Sequence, residues 1–202
     1  MSRLILLKKF SLFIFGAWLA LVSCKEMPAI PKPRTYPRVE FPAKKYKEMD
    51  AEYCPFRCEI PVYSEVQKDS SFFDEKPLHE CWFDLNISSL KATIYCSYSE
   101  IHSSKELEKA IRDAFTLAHK HQQKANYLDE IPYKKSMEYS GMIFDLEGHA
   151  ASPFQFYMTD SARHFFRGSL YFHSQTQADS LAPISSFLKE DIIHLMNSLQ
   201  WK

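Results

Sequence analysis

Ala151-Ser152-Pro153-Phe154-Gln155-Phe156-Tyr157-Met158-Thr159-Asp160-Ser161-Ala162-Arg163-His164-Phe165-Phe166-Arg167-Gly168-Ser169-Leu170-Tyr171-Phe172 carries the alternation on which the fold class rests. Phe154, Phe156 and Met158 alternate with Gln155, Tyr157 and Thr159, and Phe166, Gly168, Leu170 and Phe172 recur at every second position. Successive side chains of a strand point to opposite faces, so this period lays one apolar row against a core. Asp160-Ser161-Ala162-Arg163 joins the two runs as a polar turn. Upstream, Met142, Phe144 and Leu146 alternate in a third strand.

Helical spacing lies on both sides of these strands. Leu181, Ile184, Leu188, Ile192, Leu195 and Leu199 form a final amphipathic helix, in which Pro183 fits only the first turn. Ser103-Ser104-Lys105-Glu106 has the form of a capping box and opens a helix striped by Leu107, Ile111, Ala114, Phe115 and Ala118. That helix runs to about Lys124, and a polar loop with Pro132 follows. Earlier still, Cys81, Phe83, Leu85 and Ile87 alternate, as do Leu90, Ala92, Ile94, Cys96 and Tyr98. The short Ser88-Ser89 gap between them predicts a hairpin. Phe56, Cys58, Ile60 and Val62 share one face of a half-buried strand, with Pro61 placing it at a sheet edge or near its own end. The order is β-β-β-α-β-β-β-α. It predicts an α+β fold with a mostly antiparallel sheet of about six strands covered by helices.

Composition limits the function classes. The chain has 202 residues, with Lys+Arg and Asp+Glu both 25. A balanced charge argues against a protein that binds nucleic acid by neutralising phosphates, so no nucleic-acid partner is expected. With only 4 glycines, the chain has neither common phosphate-cradling loop and no nucleophile elbow.

Residues 1–23 read as a lipoprotein signal peptide. Arg3, Lys8 and Lys9 form a basic start, and the apolar run from Phe10 to Val22 is too short to span a bilayer. Leu21-Val22-Ser23-Cys24 resembles a lipobox, in which Cys24 becomes the lipidated first residue of the mature chain. Cleavage leaves 22 basic against 25 acidic residues, so the membrane link is acyl chains such as palmitate rather than a basic patch. Pro28, Pro31, Pro33, Pro37 and Pro42 make residues 24–44 a tether, on which Tyr36 and Phe41 can dock on the domain. Residues 45–202 are expected to form a single α+β domain.

Candidate chemistry is sparse. Asp145, Glu147 and His149 alternate on one strand face and form a possible ligand face, against the default of a solvated polar surface. Cys54, Cys58, His79 and Cys81 have zinc-ligand chemistry but poor spacing. His119 and His121 stand about 200° apart on a helix and cannot share one metal. The expected metal and cofactor content is therefore none.

Several segments together resemble the GldD family of gliding-motility lipoproteins. They are Pro31-Lys32-Pro33, Cys54-Pro55-Phe56, Cys81-Trp82, Ala118-His119-Lys120-His121, the stretch from Ala151 to Phe172, Asp179-Ser180-Leu181-Ala182-Pro183 and Trp201-Lys202. The resemblance implies a lipoprotein of the Bacteroidetes cell envelope, required for gliding, tied to type IX secretion and acting through protein partners. It carries no catalytic residues. The order of elements is also similar to PsbP-type sandwiches, which bears on fold alone. Asp160-Ser161-Ala162 resembles a short O-glycan acceptor pattern of such envelope proteins, making Ser161 a possible acceptor.

The cysteines beyond Cys24 allow three pairings. Cys54 and Cys58 on one strand would lie roughly 13 Å apart, too far to bridge. Of the remaining pairings, the resemblance favours Cys54 with Cys81, because both fall in the family-like segments. Cys58 and Cys96 are then core neighbours, as a second disulfide or as buried thiols. The functional expectation is a non-enzymatic lipoprotein anchored in the cell envelope and facing the periplasm. The alternatives are an envelope ligand-binding lipoprotein and, further off, a zinc-dependent enzyme.

Overall fold

The computed structural model describes residues 38–68, 79–136, 139–173 and 178–202, with side chains from residue 180 in the last stretch. The signal peptide, Cys24 and most of the Pro-rich tether lie outside the described residues. Strands β1 (Tyr46–Met49), β2 (Phe56–Pro61), β3 (Glu65–Lys68), β4 (Phe83–Ile87) and β5 (Ala92–Glu100) precede helix α1 (Ser104–Gln122). Strands β6 (Ala125–Lys134), β7 (Ser140–Gly148), β8 (Phe154–Thr159) and β9 (His164–Phe172) follow, then helix α2 (Ala178–Ser198) and β10 (Gln200–Trp201).

Among the described residues the strands form two antiparallel sheets, a large one of order β3-β4-β5-β9-β8-β7-β6 and a small one of order β1-β2-β10. The α+β class with antiparallel sheet and covering helices is as the periodicity predicts. Among the described residues the strands number ten rather than about six. The polar loop expected after α1 is strand β6, which pairs along β7 from Ala125 to Lys134. It stands at the sheet edge, where Pro132 sacrifices no ladder bond that the sheet needs. Strand β2 is not an edge: β1 and β10 flank it, and Pro61 is its last residue. Val62 lies past the strand end and is exposed, so it does not continue the inward row. Pro183 falls in the second turn of α2, where it forgoes a helical N–H bond.

The two faces of the large sheet bury different partners. Phe83, Leu85, Ile94, Phe156, Met158, Phe166 and Leu170 meet the small sheet and the Leu188–Ile192–Leu195 stripe of α2. Phe144, Leu146, Tyr157 and Phe165 on the opposite face meet Ala114 and Ala118 of α1. Strand β8 is therefore buried on both sides, including Gln155 and Thr159. Each fully buried large apolar side chain contributes about 1.5–3 kcal/mol. The centre is aromatic: Phe56 lies 4.7 Å from Phe166 and 5.8 Å from Trp201, ring centre to ring centre. Gly168 makes room for this packing, because a Cβ there would stand 2.2 Å from the Phe156 ring.

Helix α1 begins as its sequence predicts. Ser103 Oγ accepts from the Glu106 N–H, and Glu106 Oε2 accepts from the His102 N–H. The β4–β5 hairpin turns through a short 3-10 segment at Ser88–Leu90, with Lys91 left-handed at φ 50°.

The packed body starts before residue 45. Phe41 stacks on Phe187 of α2 with ring centres 4.6 Å apart. The Lys44 ammonium lies 3.6 Å above the same ring and donates to Asp191 at 2.7 Å. Asp191 is 1% exposed and also accepts from the Tyr46 and Tyr63 hydroxyls. Phe187 and Asp191 are four residues apart, so one face of α2 receives the incoming chain.

Candidate functional site

The cysteines divide into one bonded and one unbonded pair. Cys54 and Cys81 form a disulfide across a Cα separation of 4.9 Å, joining the entry of β2 to the entry of β4. Two of the four donors considered for zinc are thereby used. Cys58 and Cys96 remain buried thiols rather than a second disulfide. Burial pushes the Cys58 thiol up to about 12, and burial with the nearby Cys58 raises that of Cys96 as well. Neither is poised as a thiolate nucleophile. Lys202 closes over the disulfide hairpin, donating to the Ala51 and Cys54 carbonyls and pairing with Asp50 at 2.7 Å.

Asp145, Glu147 and His149 have three different settings. The Asp145 carboxylate is held by Lys189 of α2 at 2.5 Å. Glu147 is exposed at the rim, opposite Tyr127 in the β6–β7 register. His149 lies beyond the strand, after Gly148 turns the backbone at φ 103°. Ser161 sits exposed in the β8–β9 turn at φ 62°. Asp160 shapes that turn by accepting from the Ala162, Arg163 and His164 N–H groups, which hold its carboxyl below the usual range against the opposing effect of burial.

The histidines are spread through the fold. His119 contacts Glu130 of β6 at 2.7 Å, whereas His121 meets the Tyr171 hydroxyl of β9 at 3.0 Å. His164 stacks on Trp201 and shares a 2.8 Å hydrogen bond with Tyr98. His194 stacks on Tyr46 and contacts Glu59.

A polar cluster that the sequence reading did not identify lies on the α1 side of the large sheet. Arg167 of β9 is partly buried and donates from Nη2 to Gln155 Oε1 at 2.7 Å. Gln155 Nε2 and the Ser152 and Ser169 hydroxyls are buried without a well-formed hydrogen bond. Tyr171 and His121 complete the group. Burial, then the Arg167 charge, lowers the His121 pKa. Burial raises the Tyr171 pKa, with Arg167 opposing. The alternation of Arg167, Ser169 and Tyr171 is visible in sequence, opposite the apolar row of Phe166, Gly168 and Leu170. Only α1 folding over β8 and β9 turns it inward.

A family model described as "Gliding motility lipoprotein GldD" matches residues 26–201, nearly the whole chain. The chain belongs to the GldD gliding-motility lipoprotein family. Helices of the described residues include none long and apolar enough to cross a membrane. No curated protein matches the chain. Among solved structures, the chain is similar to the solution structure of cyanobacterial PsbP (CyanoP) from Synechocystis sp. PCC 6803. The identity is 10%, the TM-score is 0.48, and the match covers 80% of this chain and 95% of that one.

Proposed function

We propose that this protein is a lipid-anchored component of the cell envelope that serves gliding motility through protein contacts and performs no chemical step itself. The observation that carries this reading is the family match over residues 26–201. Acyl chains on Cys24 hold it to the membrane, with the domain facing the periplasm. Its partners belong to the gliding and type IX secretion apparatus. The edge strand β6 suits such contacts, since it carries exposed Tyr127 and Ile131 and the free side of a ten-residue ladder. A clean chromosomal deletion tests the proposal: colony spreading is lost and returns with the wild-type chain. A deletion strain that spreads and secretes normally overturns it.

A further inference from the structure

The α1 side of the large sheet holds a cation without a counter-ion. Among the described residues, no carboxylate pairs with Arg167, whose one hydrogen bond goes to neutral Gln155. A guanidinium carries five N–H donors and no acceptor. It therefore also fixes its partner: Gln155 must turn Oε1 toward Arg167, since the reverse amide would set donor against donor. That orientation leaves Nε2 without an acceptor in a side chain only 1% exposed. The Ser169 hydroxyl beside it is likewise unpartnered, whereas Ser152 turns to Tyr171. Around Arg167 the layer thus offers N–H donors, and the Asp84 carboxylate of the same face stands opposite Tyr95, two strands away from the Arg167 strand. Arg167 is its partly exposed member, so its remaining N–H groups are where an anion meets the layer.

A second observation gives the shape of that anion. Tyr95 stands opposite Ser169 in the β5–β9 register, between Arg167 and Tyr171 along the same face. The Tyr95 and Tyr171 rings meet edge to face at 5.4 Å, and Tyr95 is 46% exposed. An apolar or aromatic body next to the guanidinium finds a surface there. Arg167 is the one permanently charged cation of the cluster, and with one N–H group on Gln155 its planar fork keeps donors spaced for the two oxygens of a carboxylate. We propose that Arg167 binds the carboxylate of a small organic monoanion whose body rests on the Tyr95–Tyr171 pair. This site is separate from the gliding assignment and stands or falls without it.

The test uses the full-length protein in detergent micelles, titrated with sodium benzoate, sodium acetate or sodium phosphate at matched ionic strength. Arginine Nε–H resonances and thermal unfolding report binding. Benzoate is expected to saturate, acetate to bind more weakly, and phosphate to leave both readouts unchanged. Arg167→Gln weakens benzoate by about tenfold or more, the size of effect that a charge-assisted hydrogen bond supplies. Tyr95→Ala, at a position 46% exposed, reduces benzoate to the acetate level and leaves acetate unchanged. The proposal is overturned if benzoate does not saturate, if phosphate binds as tightly, or if Arg167→Gln binds benzoate like the wild type. Should Arg167→Gln not fold, an unchanged benzoate preference in Tyr95→Ala also overturns it.

Discussion

Replacing Asp191 by Asn tests how the chain is fastened where it enters the domain. The carboxylate is 1% exposed, and its Oδ1 accepts from Lys44 at 2.7 Å and from Tyr46 at 2.9 Å. Its Oδ2 accepts from Tyr63. An amide keeps one acceptor for Lys44 and Tyr46, but loses the negative charge and the second acceptor that Tyr63 uses. It also leaves the Lys44 charge, whose side chain is 27% exposed, without its buried partner. Breaking a buried pair by removing one member costs about 3–5 kcal/mol. For a domain of this size, a loss of about 4 kcal/mol corresponds to a drop in Tm of roughly 8–16 °C. Thermal unfolding by circular dichroism gives the shift, and urea titration gives the free energy. A Tyr63→Phe and Asp191→Asn double-mutant cycle isolates the coupling. A loss below about 1 kcal/mol, within the range of an exposed ion pair, would refute the clamp.

The same cluster sets an alkaline limit. Burial, the hydrogen bond to Asp191 and the charges of Asp191 and Glu190 raise the Tyr46 pKa to about 12, and the same causes raise Tyr63 further. Unfolded tyrosine titrates near about 10. The stabilisation is therefore complete below about pH 10 and lost as pH rises toward and through about 12, so Tyr46→Phe should flatten the fall in Tm over that range. Reducing Cys54–Cys81 opens a loop whose ends are 27 residues apart, which costs about 3.5 kcal/mol by chain entropy, and calorimetry with and without reductant measures it. Gly168→Ala drives a methyl to 2.2 Å from the Phe156 ring and is expected to cost about 1–3 kcal/mol in urea unfolding.

Much of the fold is legible in the sequence because strands β4, β5, β8 and β9 keep a two-residue apolar period, and α1 carries its own cap. The missed strands have physical reasons. Only one residue of β1, Met49, is buried, and none of β6 is, so neither shows an apolar row. Each is made a strand by pairing with the next one along the chain rather than by its own pattern: Met49 lies opposite Cys58, and Tyr133 opposite Gly141. The disulfide was readable from the family-like segments around Cys54 and Cys81. The Arg167 cluster was not, because its polar side chains look solvated until α1 covers β8. The setting of Asp145 was equally hidden, since Lys189 is 44 residues away and reaches it only through the packing of α2 on the sheet.

The central claim is that a lipid-anchored member of this family serves gliding, and Cys24 is where it is most exposed to test. A deletion strain carrying Cys24→Ala is compared with one carrying the wild-type chain, measuring colony spreading alongside membrane fractionation. The account predicts that the variant folds, leaves the membrane fraction and does not restore spreading. A Cys24→Ala protein that stays with the membrane and restores wild-type gliding would contradict it.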